Sequence, residues 1–148
     1  MVHALHEAHC VLKPGGVLVD LRPAPKHRRV GLGEGQGWRL IGVMREKFDD
    51  DRAADHAVKR VLREGLFRLE TRMAFEADRV MDTMQDFRVW LDEFIRLGKT
   101  IPSHTWLVQR IERALAKARA GTKIVVRGPM MMRVMRKPGD WLPDGQCP

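Results

Sequence analysis

Four glycines alternate in "RRVGLGEGQGWRL" (28–40), at positions 31, 33, 35 and 37. Alternating glycines let a backbone approach a phosphate closely, and the N-terminus of a following helix then receives the charge. Such a loop needs a buried strand before it and a helix after it. Upstream stands "PAPKHRR", which is no buried strand, and downstream "WRLIGVMR" shows no helical period. Asp51 follows Gly31 by about 20 residues, the separation of a ribose-binding acid in a dinucleotide site, yet no βαβ unit lies between them. The stretch therefore reads as a flexible loop near a cleft, not as a nucleotide cradle.

Other residues invite chemistry less strongly. His3, His6 and His9 recur every third position and Cys10 follows. On a helix they spread over an arc of about 120°, whereas metal sites use closer facing pairs with a supporting shell. No metal is expected. Asp49, Asp50 and Asp51 suit a helix N-terminus better than a cation. Met130, Met131, Met132 and Met135 fill core more often than they form an adaptable binding surface. Asp20 and Arg22 close a short apolar strand, at the end where open α/β sheets place ligands. They are candidates for a substrate pocket, with a strand-end ion pair as the alternative. No Ser/His/Asp or Cys/His set can be assembled, so no catalytic residue is assigned.

The elements that would position these groups follow from periodicity. Leu5, Ala8, Val11 and Leu12 fit a helix that "KPGG" (13–16) stops. "VLVDL" (17–21) is a nearly continuous apolar run and reads as a parallel strand buried on both faces. "WRLIGVMRE" is extended but ambiguous. A helix runs from Asp49–Asp51 to Glu64, with Ala54, Ala57, Val58, Val61 and Leu62 on one side, and Gly65 ends it. "LFRLETRMAFEA" (66–77) alternates as a half-buried strand near a sheet edge. Asp82 or Thr83 caps the next helix, with Met84, Phe87, Leu91 and Phe94 inward and Gly98 as its stop. Ser103 caps another, which carries Leu107, Ile111, Ala114, Leu115 and Ala118 and stops at Gly121. "KIVVRGPMMMRVMRK" (123–137) is a last strand, bulged at Gly128–Pro129 because proline cannot donate to a ladder. The order is helix–strand–helix–strand–helix–helix–strand, an α/β arrangement.

Bulk properties bound the answer. The chain has 148 residues, 44% hydrophobic and 31% charged, the balance of a globular domain. No apolar run approaches the ~20 residues of a membrane span, and "MVHALHEAHCVLKPGG" lacks the marks of a secretory signal. Two cysteines, Cys10 and Cys147, show no ligand spacing and imply no disulfide and a cytoplasmic location. The net charge of +8 is uneven: "EKFDDDRAAD" (46–55) is acidic, and Lys99 to Lys137 holds a single acid, Glu112. With no aromatic–basic interleaving, zinc pattern or RNA-binding signature, charge alone leaves nucleic acid an unfavoured partner.

"ALHEAHCVLKPGGVLVDLRP" (4–23) resembles the segment of class I S-adenosylmethionine-dependent methyltransferases that joins the fourth strand to the fifth. Glu7 and Val11-Leu12-Lys13-Pro14-Gly15-Gly16 match that family's glutamate and Val-Leu-Lys-Pro-Gly-Gly run, while His9-Cys10 replaces its arginine region. "EGLFRLETRMAF" looks like the sixth strand and "KIVVRGPMMMRVMRK" like the seventh, antiparallel one. The resemblance implies an α/β fold equivalent to the C-terminal half of a Rossmann-like methyltransferase sheet, with strands five, seven and six adjacent. Residues 1–137 would form this partial domain, with a helical insertion at 82–121, and 138–148 a C-terminal tail. The insertion would roof a substrate pocket with Phe87, Trp90, His104 and Trp106 as lining candidates beside Asp20 and Arg22. The full-length form would bind S-adenosylmethionine and methylate an acceptor, most simply a small molecule. This chain alone lacks the Gly-x-Gly-x-Gly unit and is expected neither to bind the cofactor nor to act. The fifth strand would expose an edge open to a partner chain or a second copy. Two other functions are carried forward: a non-catalytic, self-associating or protein-binding module, and a basic nucleic-acid-binding domain.

Overall fold

The computed structural model describes residues 2–35, 37–98 and 104–139. Ser103 and most of the 138–148 tail lie outside them. Among the described residues four helices accompany an open antiparallel sheet of five strands, a mixed α/β fold. The elements are α1 (Val2–Val11), β1 (Val17–Pro23), β2 (Arg29–Glu34), β3 (Gly37–Val43), α2 (Asp49–Arg63), β4 (Arg68–Met81), α3 (Met84–Arg96), α4 (Thr105–Leu115) and β5 (Lys123–Arg136). β5 pairs with β1, β2 and β4, and β3 pairs with β2. No helix among the described residues is long and apolar enough to cross a membrane. The chain divides into two compact units: the described parts of Met1–Pro25, Asp49–Phe75 and Met130–Pro148, and those of Lys26–Phe48 and Glu76–Pro129.

In the first unit β1 lies antiparallel to Met130–Arg136 of β5, with Leu18 opposite Met135 and Asp20 opposite Arg133. Three aspartates open α2 and Arg60 and Arg63 close it, matching the helix dipole at both ends. Lys137 Nζ donates to the carbonyls of His9 (2.7 Å) and Leu12 (2.8 Å), supplying a cation to the C-terminus of α1. Val58, Val61, Phe67 and Met135 form the core, joined by Leu5, Leu12, Leu18, Leu62 and Leu66. The helices thus cover the sheet face that carries Leu18 and Met135.

Three expectations need correction here. β1 is neither parallel nor buried on both faces: Val17, Val19 and Leu21 are 41%, 53% and 57% exposed, because strand alternation points them away from the helices. β4 is a strand at the expected place, but Leu69, Met73 and Phe75 are exposed; burial stops at Phe67 before it and resumes at Met81. Its alternation is real, yet too little packs on its apolar side to make it half-buried. Cys10 is disulfide-bonded, so the reading of two free thiols fails, and with it the cysteine argument for a reducing compartment.

The second unit contains a hairpin where the sequence suggested a loop. β2 and β3 pair antiparallel through a turn at Gly35 (φ 59°), and β2 pairs on its other edge with Lys123–Arg127 of β5. Gly128 and Pro129 fall between the β1 and β2 ladders of β5. Thr83 caps α3 in a reciprocal box with Asp86, and Gly98 (φ 68°) ends it. α4 begins after His104 and ends at Leu115, short of the stop expected at Gly121, because the chain leaves the helix in a turn at Ala116 and Lys117. Its Leu107 and Ile111 meet Phe87 and Leu91 of α3, Val30, Leu32, Ile41, Ile124 and Val126 of the sheet, and Met44 just past β3 in one buried cluster.

Candidate functional site

The glycines of the hairpin are explained by packing. A Cβ on Gly31 would stand 2.3 Å from the Arg39 carbonyl oxygen and 2.7 Å from the Trp38 ring. A Cβ on Gly33 would stand 3.0 Å from Val125 Cγ2. Gly31 is paired with Leu40 on one side and Val125 on the other, and Gly33 with Trp38 and Lys123. Both edges of β2 are therefore taken by strands, and the space a phosphate would occupy is filled by protein. The residues present do not fit a nucleotide cofactor. The Trp38 ring lies 4.6 Å from the Arg127 guanidinium and 5.6 Å from that of Arg29. Arg127 is held in turn by Asp78 and Arg29 by Glu76. The Arg127 hydrogen bond keeps the Asp78 carboxyl below its ordinary range, against a smaller opposing effect of burial.

Of the residues singled out from sequence, Asp20 and Arg22 belong to the first unit. They form a closed set with Asp55 and Arg133. Arg22 donates to Asp20 (3.0 Å), Asp55 (2.6 Å) and the Asp51 carbonyl (3.0 Å), and Arg133 donates to Asp20 (2.9 Å) and Asp55 (2.7 Å). Burial pushes the Asp55 carboxyl up, but hydrogen bonds from Arg133 and Arg22 outweigh it and hold it below the carboxylate range. Two cations answer two anions, so the set is internally neutral and its hydrogen-bonding capacity is spent inward. Asp55 and Arg133 escaped the sequence reading because the first sits on a helix 33 residues from Arg22 and the second on the last strand.

The other four candidates belong to the second unit, where their fates diverge. Phe87 is fully buried. Trp90 is half-buried, tilted against Phe87 (5.9 Å) and stacked on Phe94 (5.3 Å). Trp106 is 41% exposed, with its ring 3.2 Å from where a Gly42 Cβ would be. His104 lines a cavity. This cavity, of about 400 Å³ between α3 and α4, is walled by Leu91, Ile95 and Val108 and bears Arg88, Asp92, His104 and Thr105 at its polar positions. Burial holds the His104 imidazole below its ordinary pKa, hence neutral at pH 7. Arg88 spans the two helices to pair with Glu112. An apolar floor with one cation, one anion and a neutral imidazole can receive a small amphiphile. Arg88 and Asp92 sit four residues apart, a legible helical pair, but nothing local says that a cavity opens beside them.

The three N-terminal histidines turn to separate partners. His3 pairs with Glu7 (3.1 Å), His6 with Glu64 (3.0 Å), and buried His9 meets the Phe67 ring edge-on at 5.4 Å. No group of three or more metal-ligating side chains gathers among the described residues. No family model, curated protein or solved structure matches the chain.

Proposed function

We propose that this chain is the C-terminal part of a class I S-adenosylmethionine-dependent methyltransferase domain, inactive by itself. The observation that supports this reading is the order β1–β5–β4. The last strand in sequence lies antiparallel between the strand after Lys13-Pro14-Gly15-Gly16 and the exposed alternating strand. That insertion is what the family resemblance implied for strands five, seven and six. The exposed Val17, Val19 and Leu21, and the outer edge of β1, which pairs with no other strand among the described residues, are where the remaining strands and helices of such a domain would pack. In that domain the missing half supplies the cofactor site, S-adenosylmethionine the methyl group, and the acceptor is a small molecule.

The test is the coding frame upstream of the Met1 codon. An in-frame strand–Gly-x-Gly-x-Gly–helix unit, giving a protein that binds S-adenosylmethionine by calorimetry, sustains the proposal. A stop codon or unrelated sequence there, or stoichiometric micromolar binding by the present chain alone, removes it.

The free β1 edge favours a second reading, a module that pairs with itself or with a partner chain. It expects a discrete oligomer by light scattering that Leu21→Lys converts to monomer. A monomeric parent chain would rule self-pairing out. A cytoplasmic location accompanies the methyltransferase reading, whereas the Cys10 disulfide speaks for an oxidising one. Thiol alkylation at the moment of lysis, followed by mass measurement, decides between them.

A further inference from the structure

The cations of the second unit differ in their pairing. Lys26, Arg39, Lys47 and Arg79, on separate strands and connections, are exposed with no carboxylate within 4.0 Å among the described residues, and Arg96 lies 3.9 Å from Glu93. Arg28, Arg29, Arg88, Lys123 and Arg127 are each paired with a carboxylate: Glu46, Glu76, Glu112, Asp82 and Asp78 respectively. Arg110, Arg113, Lys117 and Arg119 are not: among the described residues no carboxylate lies within 4.0 Å of them, and all four are exposed. Helical spacing gathers them. Leu107 and Ile111 point into the core, which places Trp106, Arg110 and Arg113 on the outer face at i, i+4 and i+7, with Lys117 and Arg119 in the turn that follows. Glu112, the single acid of α4, is drawn off by Arg88. At the head of this stripe the Trp106 ring, seated over Gly42, keeps 41% of its surface exposed, and the Arg110 guanidinium stands 5.9 Å from it. One exposed aromatic ring thus heads a run of basic groups on α4.

We infer that the outer face of α4 is a binding surface for single-stranded nucleic acid. Four uncompensated cations follow a phosphate backbone, and the exposed part of the Trp106 ring offers a platform for an unpaired base. A duplex keeps its bases stacked and out of reach of such a ring. A lipid surface would need an apolar helix face to enter it, and that of α4 is already spent on Leu107 and Ile111. An acidic protein would meet the charges but leave the tryptophan unused. The inference is independent of the methyltransferase reading, since it uses neither the strand order nor a cofactor.

The experiment is fluorescence anisotropy of a labelled, mixed-sequence 20-nucleotide single strand titrated with the full chain. Neutralising four phosphates predicts a log–log salt slope of about −3, so affinity falls roughly 50-fold between 50 and 200 mM salt. Trp106→Ala should weaken binding about tenfold, and titration with the single strand should quench tryptophan emission in the parent chain. The triple variant Arg110→Glu, Arg113→Glu, Lys117→Glu should abolish binding with an unchanged circular dichroism spectrum. Arg110→Gln alone serves as the milder probe should the triple variant misfold. The charge-matched control Arg52→Glu, Lys59→Glu, Arg63→Glu on α2 should bind like the parent. Absence of saturable binding at 50 mM salt overturns the inference. So does equal loss in the control, tighter binding to the matching duplex, or displacement of the strand by poly-glutamate or anionic vesicles at equal charge.

Discussion

Gly31→Ala tests the hairpin directly, because the two readings of "GLGEGQG" expect opposite results in the ligand-free protein. In the structure the new methyl would lie 2.3 Å from the Arg39 carbonyl oxygen and 2.7 Å from the indole of Trp38. The first is backbone of the paired strand and cannot swing aside, so β3 must move relative to β2. Overpacking of this kind costs about 1–3 kcal/mol. Displacing the indole from between Arg127 and Arg29 adds about 0.5–1 kcal/mol for each weakened cation–π contact. The sum, about 2–5 kcal/mol, is a large share of the 5–15 kcal/mol typical of a domain. At about 2–4 °C per kcal/mol it lowers Tm by roughly 10 °C. Three of the four tryptophans, Trp38, Trp90 and Trp106, belong to the unit that holds the hairpin, so thermal unfolding followed by tryptophan emission reports on it. Gly35→Ala is the companion. Nothing lies within 4 Å of its Cβ, and it carries only the strain of φ 59°, about 1–2 kcal/mol. A Tm within about a degree of the parent for Gly31→Ala, with parental emission, would refute the packing argument. It would return the glycines to the status of an open loop.

Three further outcomes follow from the same structure. Asp55→Ala leaves Arg22 and Arg133 sharing Asp20 and should destabilise the protein by about 3 kcal/mol in urea unfolding; a loss below about 0.5 kcal/mol would show that the four-residue set is not closed. Burial lowers the pKa of His104, and burial with Lys137 and His6 lowers that of His9, so between those depressed values and about 6.5 the unfolded chain binds more protons than the folded one. Stability should therefore be full above pH 7 and decline as pH falls from about 6.5 toward 5, a slope that His104→Gln reduces and that a flat urea midpoint over pH 5–7.5 would contradict. Thr83→Ala removes the reciprocal cap of α3 and should cost about 1 kcal/mol, with Thr83→Ser restoring most of it; equal stability of all three proteins would deny the cap any role.

Much of the chain's local structure was legible without coordinates. Thr83 (one of two cap candidates, with Asp82), the aspartates at 49–51, and the glycines at 65 and 98 mark helix ends because caps and left-handed turns are set by a few covalent neighbours. Pro129 marks the break between two ladders for the same reason: a missing N–H is a property of the residue itself. The purpose of Gly31 is not local. It depends on Trp38 and Arg39 lying across a ladder, so a pattern that suits a phosphate equally suits a crowded hairpin. Nor does an apolar pattern say whether anything arrives to cover it, which is why β1, expected buried on both faces, and β4, expected half-buried, both carry exposed apolar side chains. Asp20 and Arg22 could be picked out as a polar pair by position, but only the fold brought Asp55 and Arg133 to neutralise them. Trp106 was singled out from sequence and its approach to Arg110 follows from helical spacing, but the removal of Glu112 toward Arg88 required α3 and α4 to pack. Sequence by itself determined where elements begin and end, because backbone geometry is decided over a few residues. Tertiary structure decided which side chains are spent on one another and which are left to meet a partner, because burial and charge compensation arise between segments far apart in the chain.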